Sequence, residues 1–227
     1  MDLKNRITRR RFLILVGGAI SLPALSHNRA TAQTTRQPAG EFIESRCEKE
    51  GKMKNRILIA YGSRCGSTGG VAEAIGQSFC ENGTAVDVLL VKNVSDLSPY
   101  QGVLVGSAIR MGRWLPEVVE FVKTHQNTLS RIPVAYFVVC LSMKDDTAEN
   151  RRKVSAYLEA VRKQVPGVKP VDIGLFAGAV DFSKLSFSHR LMLKVKGAPE
   201  GDFRNWNTIR SWAVSLRSAL GVPRPSH

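Results

Sequence analysis

The sequence predicts an α/β protein built on a doubly wound, five-stranded parallel sheet in the order 2-1-3-4-5. Apolar, strand-like runs alternate with segments at helical spacing. The runs are nearly unbroken in apolar residues, which is typical of strands covered on both faces. Parallel neighbours also need crossover connections, which are right-handed in nearly all proteins. In this order the winding reverses between strands one and three, so a ligand crevice is expected at their carboxyl ends.

The first elements each carry a signal of their own. Residues 56–61 form an apolar strand that runs into a loop of glycines and hydroxyls. A helix follows, because Val71, Ile75 and Phe79 fall on one face. Asn82-Gly83 supplies the left-handed end of that helix. The next predicted strands cover residues 85–91 and 102–107.

The later elements follow from start signals and periodicity. Pro116 fits the first turn of a helix over residues 115–128. Residues 134–140 are a nearly continuous apolar strand. Asp146 and Glu149 are spaced like a capping pair at the start of a helix that begins near Thr147. The apolar positions of that helix lie on one side, and a fifth strand over residues 171–180 and a closing helix over residues 205–220 complete the prediction.

The loop after the first strand has the composition of a phosphate cradle. Glycines let its backbone turn sharply, and the Ser63, Ser67 and Thr68 hydroxyls can donate to an anion at a helix N-terminus. The spacing fits neither a nucleotide triphosphate loop nor the Gly-x-Gly-x-x-Gly dinucleotide pattern. Two interpretations remain open: a loop for flavin mononucleotide (FMN), or an ordinary glycine-rich turn between strand and helix.

Two further loops are expected at the same crevice. The loop after the third strand reads Ser107-Ala108-Ile109-Arg110-Met111-Gly112-Arg113-Trp114. Trp114 could stack on a flavin ring, or it could be a tryptophan at the edge of the core. Backbone groups of this loop could bond the polar edge of the ring, and Arg110 or Arg113 could favour an anionic reduced flavin. The loop after the fourth strand contributes Cys140, Leu141 and Ser142.

The first 32 residues resemble a twin-arginine export signal. Arg9 and Arg10 precede a short apolar stretch, and residues 30–32 offer a small-residue cleavage site. An uncleaved anchor is the alternative. Residues 33–52 are predicted to be a flexible linker, and residues 53–227 the folded domain. Translation from Met53 would give a cytoplasmic form without the leader, whereas the exported form would be periplasmic or membrane-associated.

Charge and cysteine content restrict the partners. The chain carries 33 basic and 19 acidic residues, and without the leader 27 and 18 remain, a formal charge of +9. Anionic partners are therefore expected, although the sequence lacks the signatures of nucleic-acid binding. The four cysteines show no paired spacing, so buried or loop thiols are predicted rather than a metal cluster or redox motif. Cys65, at a helix start beside Arg64, is expected to have a lowered pKa.

Residues 53–227 resemble the flavodoxin domain family, and within it the branch of the menaquinone-dependent protoporphyrinogen dehydrogenases. The resemblance rests on the loop at residues 63–68, on residues 106–110 with 120–123, on residues 176–179 and on residues 201–206. It implies a flavodoxin-like fold, bound FMN and electron transfer. It also implies phosphate contacts from the first loop, namely Ser63, Arg64, Gly66, Ser67 and Thr68.

The resemblance also implies partners for electron transfer. In that branch, a segment inserted after the fifth strand is thought to meet quinone or membrane. The corresponding residues here, 182–196, mix apolar and basic side chains, so they could lie on an anionic membrane surface or pack on the sheet as an amphipathic helix. The expected function is an exported FMN-dependent oxidoreductase working with a quinone. The alternatives are a flavodoxin-type carrier for a redox protein partner and a scaffold module without flavin.

Overall fold

Strands and helices alternate in the computed structural model, which describes residues 42–48, 56–185, 187–195 and 197–222. The predicted leader, most of the predicted linker and Met53 lie outside these residues. The strands are β1 (Ser45–Cys47), β2 (Arg56–Gly62), β3 (Ala85–Leu90), β4 (Tyr100–Arg110), β5 (Arg113–Trp114), β6 (Val134–Cys140), β7 (Asp172–Ala177), β8 (Ala179–Val180) and β9 (Gly201–Asp202). The helices are α1 (Ser67–Glu81), α2 (Pro116–Thr124), α3 (Gln126–Leu129), α4 (Ala148–Gln164), α5 (Phe187–Val195) and α6 (Trp206–Ser215).

Five parallel strands form the centre of the sheet in the order β3-β2-β4-β6-β7. This is the predicted 2-1-3-4-5 order, and the predicted α/β fold class is confirmed. Alternate side chains of β2 enter different cores, as the two-residue period of a strand requires. Leu58 and Ala60 belong to the core cluster that includes Val118 and Leu158. Ile57, Ile59 and Tyr61 belong to the cluster on the opposite face.

Helices cover both faces of the sheet. α1 and α6 contribute Phe79 and Ile209 to one core cluster, while α2 and α4 contribute Val118 and Leu158 to the other. The nearly unbroken apolar character of the central strands follows from this double coverage. Among the described residues, no helix combines the length and the hydropathy that a membrane span requires.

Several boundaries differ from the predicted ones. The helix predicted over residues 115–128 is two helices, α2 and α3, which meet at His125. α4 is capped by Thr147, whose hydroxyl accepts from the Asn150 N–H at 3.1 Å, and Asp146 instead pairs with Arg151. The predicted fifth strand is interrupted at Gly178, because β8 leaves the sheet and pairs with β9.

The predicted flexible linker contains an ordered strand, which corrects that prediction for residues 42–48. β1 pairs antiparallel with the outer edge of β3. The buried Tyr61 hydroxyl donates to the Ile43 carbonyl at 2.8 Å. The Glu44 carboxylate accepts from the Leu90 N–H at 2.9 Å and from the Asn93 amide at 2.8 Å. Three residues are too few to show a strand period, so the sequence pattern alone could not reveal β1.

A disulfide fastens β1 to the end of α1, and it corrects the prediction of unpaired thiols at Cys47 and Cys80. The two Cα atoms lie 6.0 Å apart, across 33 residues of sequence. Asp87 of β3 accepts from Arg56 at 2.6 Å and lies near Arg46 of β1. The cysteines approach each other only because β1 extends the sheet beside the last turn of α1. Pairing therefore depended on tertiary structure that their spacing did not encode.

Removing the disulfide should lower the free energy of unfolding without changing the fold. Replacing both Cys47 and Cys80 by Ser releases a closed loop in the unfolded chain, so we expect a loss of about 2–4 kcal/mol. The measurement is denaturant unfolding of the full chain, with Cys65→Ser as the matched control. Reductant should destabilise the control protein as well, but it should leave the double variant unchanged. Equal unfolding midpoints for all three proteins would contradict this role of the disulfide.

Candidate functional site

A cavity of about 460 Å³ opens where the carboxyl ends of the central strands meet. This is the crevice that the strand order predicts, between the loops that follow β2 and β4. Its volume is in the usual range for small-ligand and cofactor sites. The lining residues are Ser63, Arg64, Cys65, Ser67, Ala108, Ile109, Arg110, Val139, Cys140, Leu141, Gly178, Ala179, Val180, Leu185 and Leu193.

The loop between β2 and α1 presents backbone donors to one end of this cavity. Gly66 adopts a left-handed φ of 82°, which glycine allows at little cost, and its N–H donates to the Ser63 hydroxyl at 3.0 Å. Intrahelical bonding begins with Gly69, whose N–H donates to the Gly66 carbonyl at 2.9 Å. The N–H groups of Ser67 and Thr68 precede that point, so no helix carbonyl accepts from them.

A buried hydroxyl at the same helix start has an unmet hydrogen-bonding capacity. Thr68 is fully buried, and among the described residues its Oγ1 has no hydrogen-bond partner. Gly178 closes the cradle from the other side, because a Cβ there would lie 3.3 Å from the Ser67 Oγ. Free N–H groups, an unpaired hydroxyl and the positive end of α1 together suit an anionic group such as a phosphate.

The loop after β4 is a tight hairpin rather than an open ring-binding loop. Ile109 pairs with Trp114, and the turn between them is made by Met111 and Gly112, with φ of 52° and 74°. This turn points Trp114 back into the core, where its ring meets Tyr136 edge-on at 5.1 Å between centroids. Of the two interpretations left open for Trp114, the structure supports the core tryptophan, and the placement of Trp114 against a flavin ring is corrected.

Ser107 is also placed in the interior rather than at the cavity. Its hydroxyl accepts from the Leu115 N–H at 3.0 Å and donates to the Ala108 carbonyl at 2.8 Å. Both bonds hold the base of the β4–β5 hairpin against the start of α2. Ser107 therefore positions this loop and has no surface to offer a ligand.

Eight of the predicted site residues line one cavity, although they come from three separate loops. Gly66 and Thr68, which flank Ser67 at the start of α1, do not line it, and neither does Ser142, which follows Leu141 in a short 3-10 turn. Gly112 lies at the hairpin tip, close to the Tyr157 ring. The residues that do line the cavity are Ser63, Arg64, Ser67, Ala108, Ile109, Arg110, Cys140 and Leu141.

The sequence did not predict that residues at the ends of β6 and β7, and residues in the segment after β7, line the cavity. Val139 and Gly178 follow the rule already used for the first loops, because they lie at the carboxyl ends of β6 and β7. Leu185 and Leu193 had no such signal. Leu193 lies in α5 and Leu185 shortly before it. Both line the cavity because of the way this segment packs, which the sequence pattern does not indicate.

The charged groups that line the cavity are arginines, and its Cys65 thiol is not activated. Burial raises the pKa of the Cys65 thiol, and the nearby Arg110 guanidinium opposes this without reversing it. The prediction of a lowered pKa is wrong, because the half-buried side chain loses more hydration than the guanidinium restores. Burial likewise raises the pKa of Cys140. Arg64 at the rim donates to Glu117 at 2.9 Å.

A buried cation supports α1 from behind. The Arg204 side chain donates to Asp202 at 2.7 and 2.8 Å and covers the Trp206 ring at 4.3 Å from the ring centroid. It packs against Gly70, where a Cβ would come within 2.3 Å of the guanidinium. A side chain at position 70 would displace the Arg204 guanidinium, so glycine there lets the first turns of α1 pack on this cation.

Comparison with known proteins agrees with this geometry. Residues 58–204 match the family described as Flavodoxin domain. Protoporphyrinogen IX dehydrogenase [quinone] from Leishmania major is 26% identical over 181 residues, covering 74% of this chain and 78% of that protein. The protein of the same name from Escherichia coli strain K12 is 26% identical over 180 residues, covering 74% of this chain and 98% of its own length.

Solved flavodoxins give weak structural alignments. Oxidised Flavodoxin 2 from Bacillus cereus has a TM-score of 0.43 and 18% identity, over 72% of this chain and 98% of that one. Two-electron reduced flavodoxin from Megasphaera elsdenii has a TM-score of 0.45 and 16% identity, over 70% of this chain and 98% of that one. The family match does not depend on them. Since it spans more than half of the 227 residues, the chain belongs to the flavodoxin domain family.

Proposed function

We propose that this chain is an exported, FMN-binding oxidoreductase that exchanges electrons with a quinone, in the manner of the dehydrogenases it is similar to. The observation that carries the proposal is the anion cradle at the start of α1, which opens into a cavity of cofactor size. Family membership supports a flavin. A quinone is part of the names of the two dehydrogenases that are similar to this chain.

The cradle fits a flavin phosphate on three counts. Ser67 and Thr68 offer backbone N–H groups at the positive end of α1. Thr68 also carries a buried hydroxyl without a partner among the described residues, which a phosphate oxygen would satisfy. Ser63 has a different task, because its hydroxyl is already used to hold Gly66 in the turn. It shapes the cradle and leaves the donors of α1 for the ligand.

The rest of the cavity suits an apolar ring system with a polar edge. Ile109, Val139 and Leu141 supply apolar walls, while Arg110 supplies a positive charge at the rim. When bound, a flavin would supply the electron transfer, and no nucleophilic side chain is required. The protein would bind the phosphate, orient the ring and exclude water from it. The raised pKa values of Cys65 and Cys140 are consistent with thiols that do not take part.

The segment around α5 supports access from an apolar phase. Leu185 and Leu193 line the cavity. On another side of α5, Phe187, Leu191 and Val195 are 80%, 54% and 79% exposed, at a spacing of four residues. A lipophilic quinone in a membrane would reach the cavity past this segment, and the basic residues of α5 would favour anionic lipid.

Two other functions are less well supported. A flavodoxin-type carrier would pair with a redox protein, and ordinary carriers are acidic, whereas this chain without the predicted leader has a formal charge of +9. A scaffold module without flavin would have no need of a buried hydroxyl without a partner among the described residues at the anion cradle, yet Thr68 places one there. Oxidoreductase function with a quinone therefore remains the favoured proposal.

Export is proposed from the twin-arginine pattern, and the disulfide supports it. Disulfides persist in oxidising compartments and are rare in the reducing cytoplasm. The Cys47–Cys80 bond therefore suits a protein that works outside the cytoplasm. A form translated from Met53 would lack Cys47 and β1, so it would also lose the contacts that β1 makes with β3.

Replacing Thr68 by Val should weaken FMN binding about ten- to hundredfold while the protein stays folded. The change keeps the side-chain volume in a fully buried position but removes the hydroxyl offered to the phosphate. We expect the FMN dissociation constant to rise by about one to two orders of magnitude, and the FMN content in the visible spectrum of natively purified protein to fall below that of the wild type.

The matched control is Thr84→Val. Thr84 is also buried with a hydroxyl that lacks a partner among the described residues, but it lies in the turn between α1 and β3. This control should retain FMN. Equal FMN content in both variants would rule out the phosphate cradle. Colourless wild-type protein that also fails to take up added FMN would favour the scaffold.

Reduced holoprotein should transfer electrons to a lipophilic naphthoquinone faster in anionic than in neutral vesicles. Each cation near an anionic surface contributes about 1 kcal/mol, so a severalfold difference in the anaerobic reoxidation rate is expected. Replacing Phe187 and Leu191 by Gln removes apolar contact with the membrane but no charge, so it should slow reoxidation in both kinds of vesicle, whereas Val214→Gln, at an exposed position on α6, should leave both rates unchanged. Reoxidation by an acidic redox protein but not by quinone would favour the carrier.

Changing Arg9 and Arg10 to Lys should retain the full chain in the cytoplasm. Cell fractions would be alkylated and weighed to count free thiols in the recovered protein. Exported protein should show two reactive thiols after unfolding, those of Cys65 and Cys140. The retained variant should show four, because Cys47 and Cys80 stay reduced. Wild-type protein found in the cytoplasm with four free thiols would overturn the export proposal.

A further inference from the structure

The segment of residues 42–48, which we call the strap, contacts both elements that flank the anion cradle at the start of α1. On one side, the Ile43 carbonyl of the strap accepts from the hydroxyl of Tyr61, which lies at the end of β2, at 2.8 Å. On the other side, the Cys47–Cys80 disulfide joins the strap to the last turn of α1. The strap therefore bridges the strand that leads into the cradle and the helix that leads out of it.

Helix α1 can transmit a restraint at its end to the cradle at its start. Cys80 lies about four helical turns after Ser67, which is about 20 Å along the helix axis. Between these two ends, Ile75 and Phe79 pack in the same core cluster as Tyr61. A continuous helix moves as a rigid element. Because the strap holds the end of α1 and the end of β2 together, it limits how far the cradle between them can open.

The other contacts of the strap are weak, and some of its charges oppose closure. The Glu44 carboxylate bonds Leu90 and Asn93 at exposed positions, where water competes for both bonds. Burial raises the pKa of Tyr61 to about 12, and the carboxylates of Glu44 in the strap and Glu73 in α1 raise it further. Two like charges therefore lie near one hydroxyl, one in the strap and one in the helix, and they repel each other. The disulfide holds the strap closed against this repulsion.

We propose that the Cys47–Cys80 disulfide is a redox lock on the anion cradle. With the bond formed, the strap holds α1 against β2 and slows the release of a phosphate-bearing ligand. With the bond reduced, the cradle opens more often and exchanges its ligand. In reduction by a dithiol, the S–S bond breaks, each sulfur gains one electron and one proton, and the dithiol becomes a disulfide. Both cysteines are partly exposed, so a small dithiol can reach them.

Export would take the chain through both states of the lock. The cytoplasm is reducing, whereas the compartments outside it are oxidising. The chain would therefore take up its ligand in the open state and keep it after the disulfide forms. This part of the inference rests on the proposed function, which takes the ligand to be FMN and the protein to be exported. The opening of the cradle on loss of the disulfide depends on neither.

The first test is the rate at which FMN leaves the full chain. Protein loaded with FMN would be filtered at timed intervals, and the FMN left on it would be read from the visible spectrum. We expect the double variant Cys47→Ser/Cys80→Ser to release FMN about tenfold faster than the wild type, because more open states become accessible. A dithiol should speed release from the wild type equally and leave the double variant unchanged. Tyr61→Phe, which removes the bond to Ile43 but keeps the disulfide, should speed release by a smaller factor.

The second test reports the opening without any flavin. Cys65 lies half-buried in the cradle loop, whereas Cys140 lies at the end of β6, which β3, β2 and β4 separate from the strap. In the full chain freed of flavin, iodoacetamide should alkylate Cys65 about tenfold faster in the double variant than in the wild type, and Cys140 at the same rate in both. The matched control is Val161→Ala, which leaves a cavity in the opposite core cluster and destabilises the whole fold. It should leave FMN release and both alkylation rates unchanged.

The two readouts distinguish failure of the lock from failure of the proposed function. Protein that binds no FMN, but whose Cys65 is alkylated faster in the double variant, would support the lock and remove the FMN-dependent oxidoreductase. Bound FMN that leaves the wild type and the double variant at the same rate would overturn the lock alone, whatever the alkylation rates. Equal effects of the double variant and Val161→Ala would also overturn it, because a loss of global stability would then be sufficient.

Discussion

The rest of the structure depends on the position of β2, which is hydrogen-bonded to a parallel neighbour on each side. A parallel neighbour cannot be reached by a tight turn, so the chain must cross over the sheet each time. The crossover to β3 runs through α1 on one face, and the chain then returns past β2 to β4. The loops that leave β2 and β4 therefore diverge, and the cavity is the space that they leave between them.

Two glycines let the strand ends come close enough to define that space. A Cβ at Gly62 would lie 2.4 Å from Val118, and one at Gly106 would lie 1.9 Å from the Phe137 ring. Helix α2 thus packs directly on the end of β2, and the aromatic ring of β6 lies across β4. Any larger side chain would push these layers apart. The donors of α1 and the end of β4 would then no longer face one cavity.

Pattern in the sequence was sufficient for the five central strands and for eight of the fifteen residues that line the cavity, because these follow from periodicity and from the carboxyl-end rule. Features that depend on tertiary contacts could not be predicted from the sequence pattern. Cys47 and Cys80 carry no spacing signal, and they meet only through a three-residue strand. Likewise, burial raises the pKa of the Cys65 thiol more than the Arg110 guanidinium lowers it. The extent of that burial depends on the fold and is not visible in the sequence.

The β4–β5 hairpin shows how one local turn can set the chemistry on both of its sides. A two-residue turn through Met111 and Gly112 brings Trp114 opposite Ile109 and directs its ring into the core. The same register leaves Arg110 and Arg113 outside the core, paired across the strands. An open loop of equal length could have turned the tryptophan toward the first cavity, at the carboxyl ends of the central strands. The hairpin instead leaves that cavity with aliphatic walls and borders a second, arginine-lined cavity of about 430 Å³ beside it.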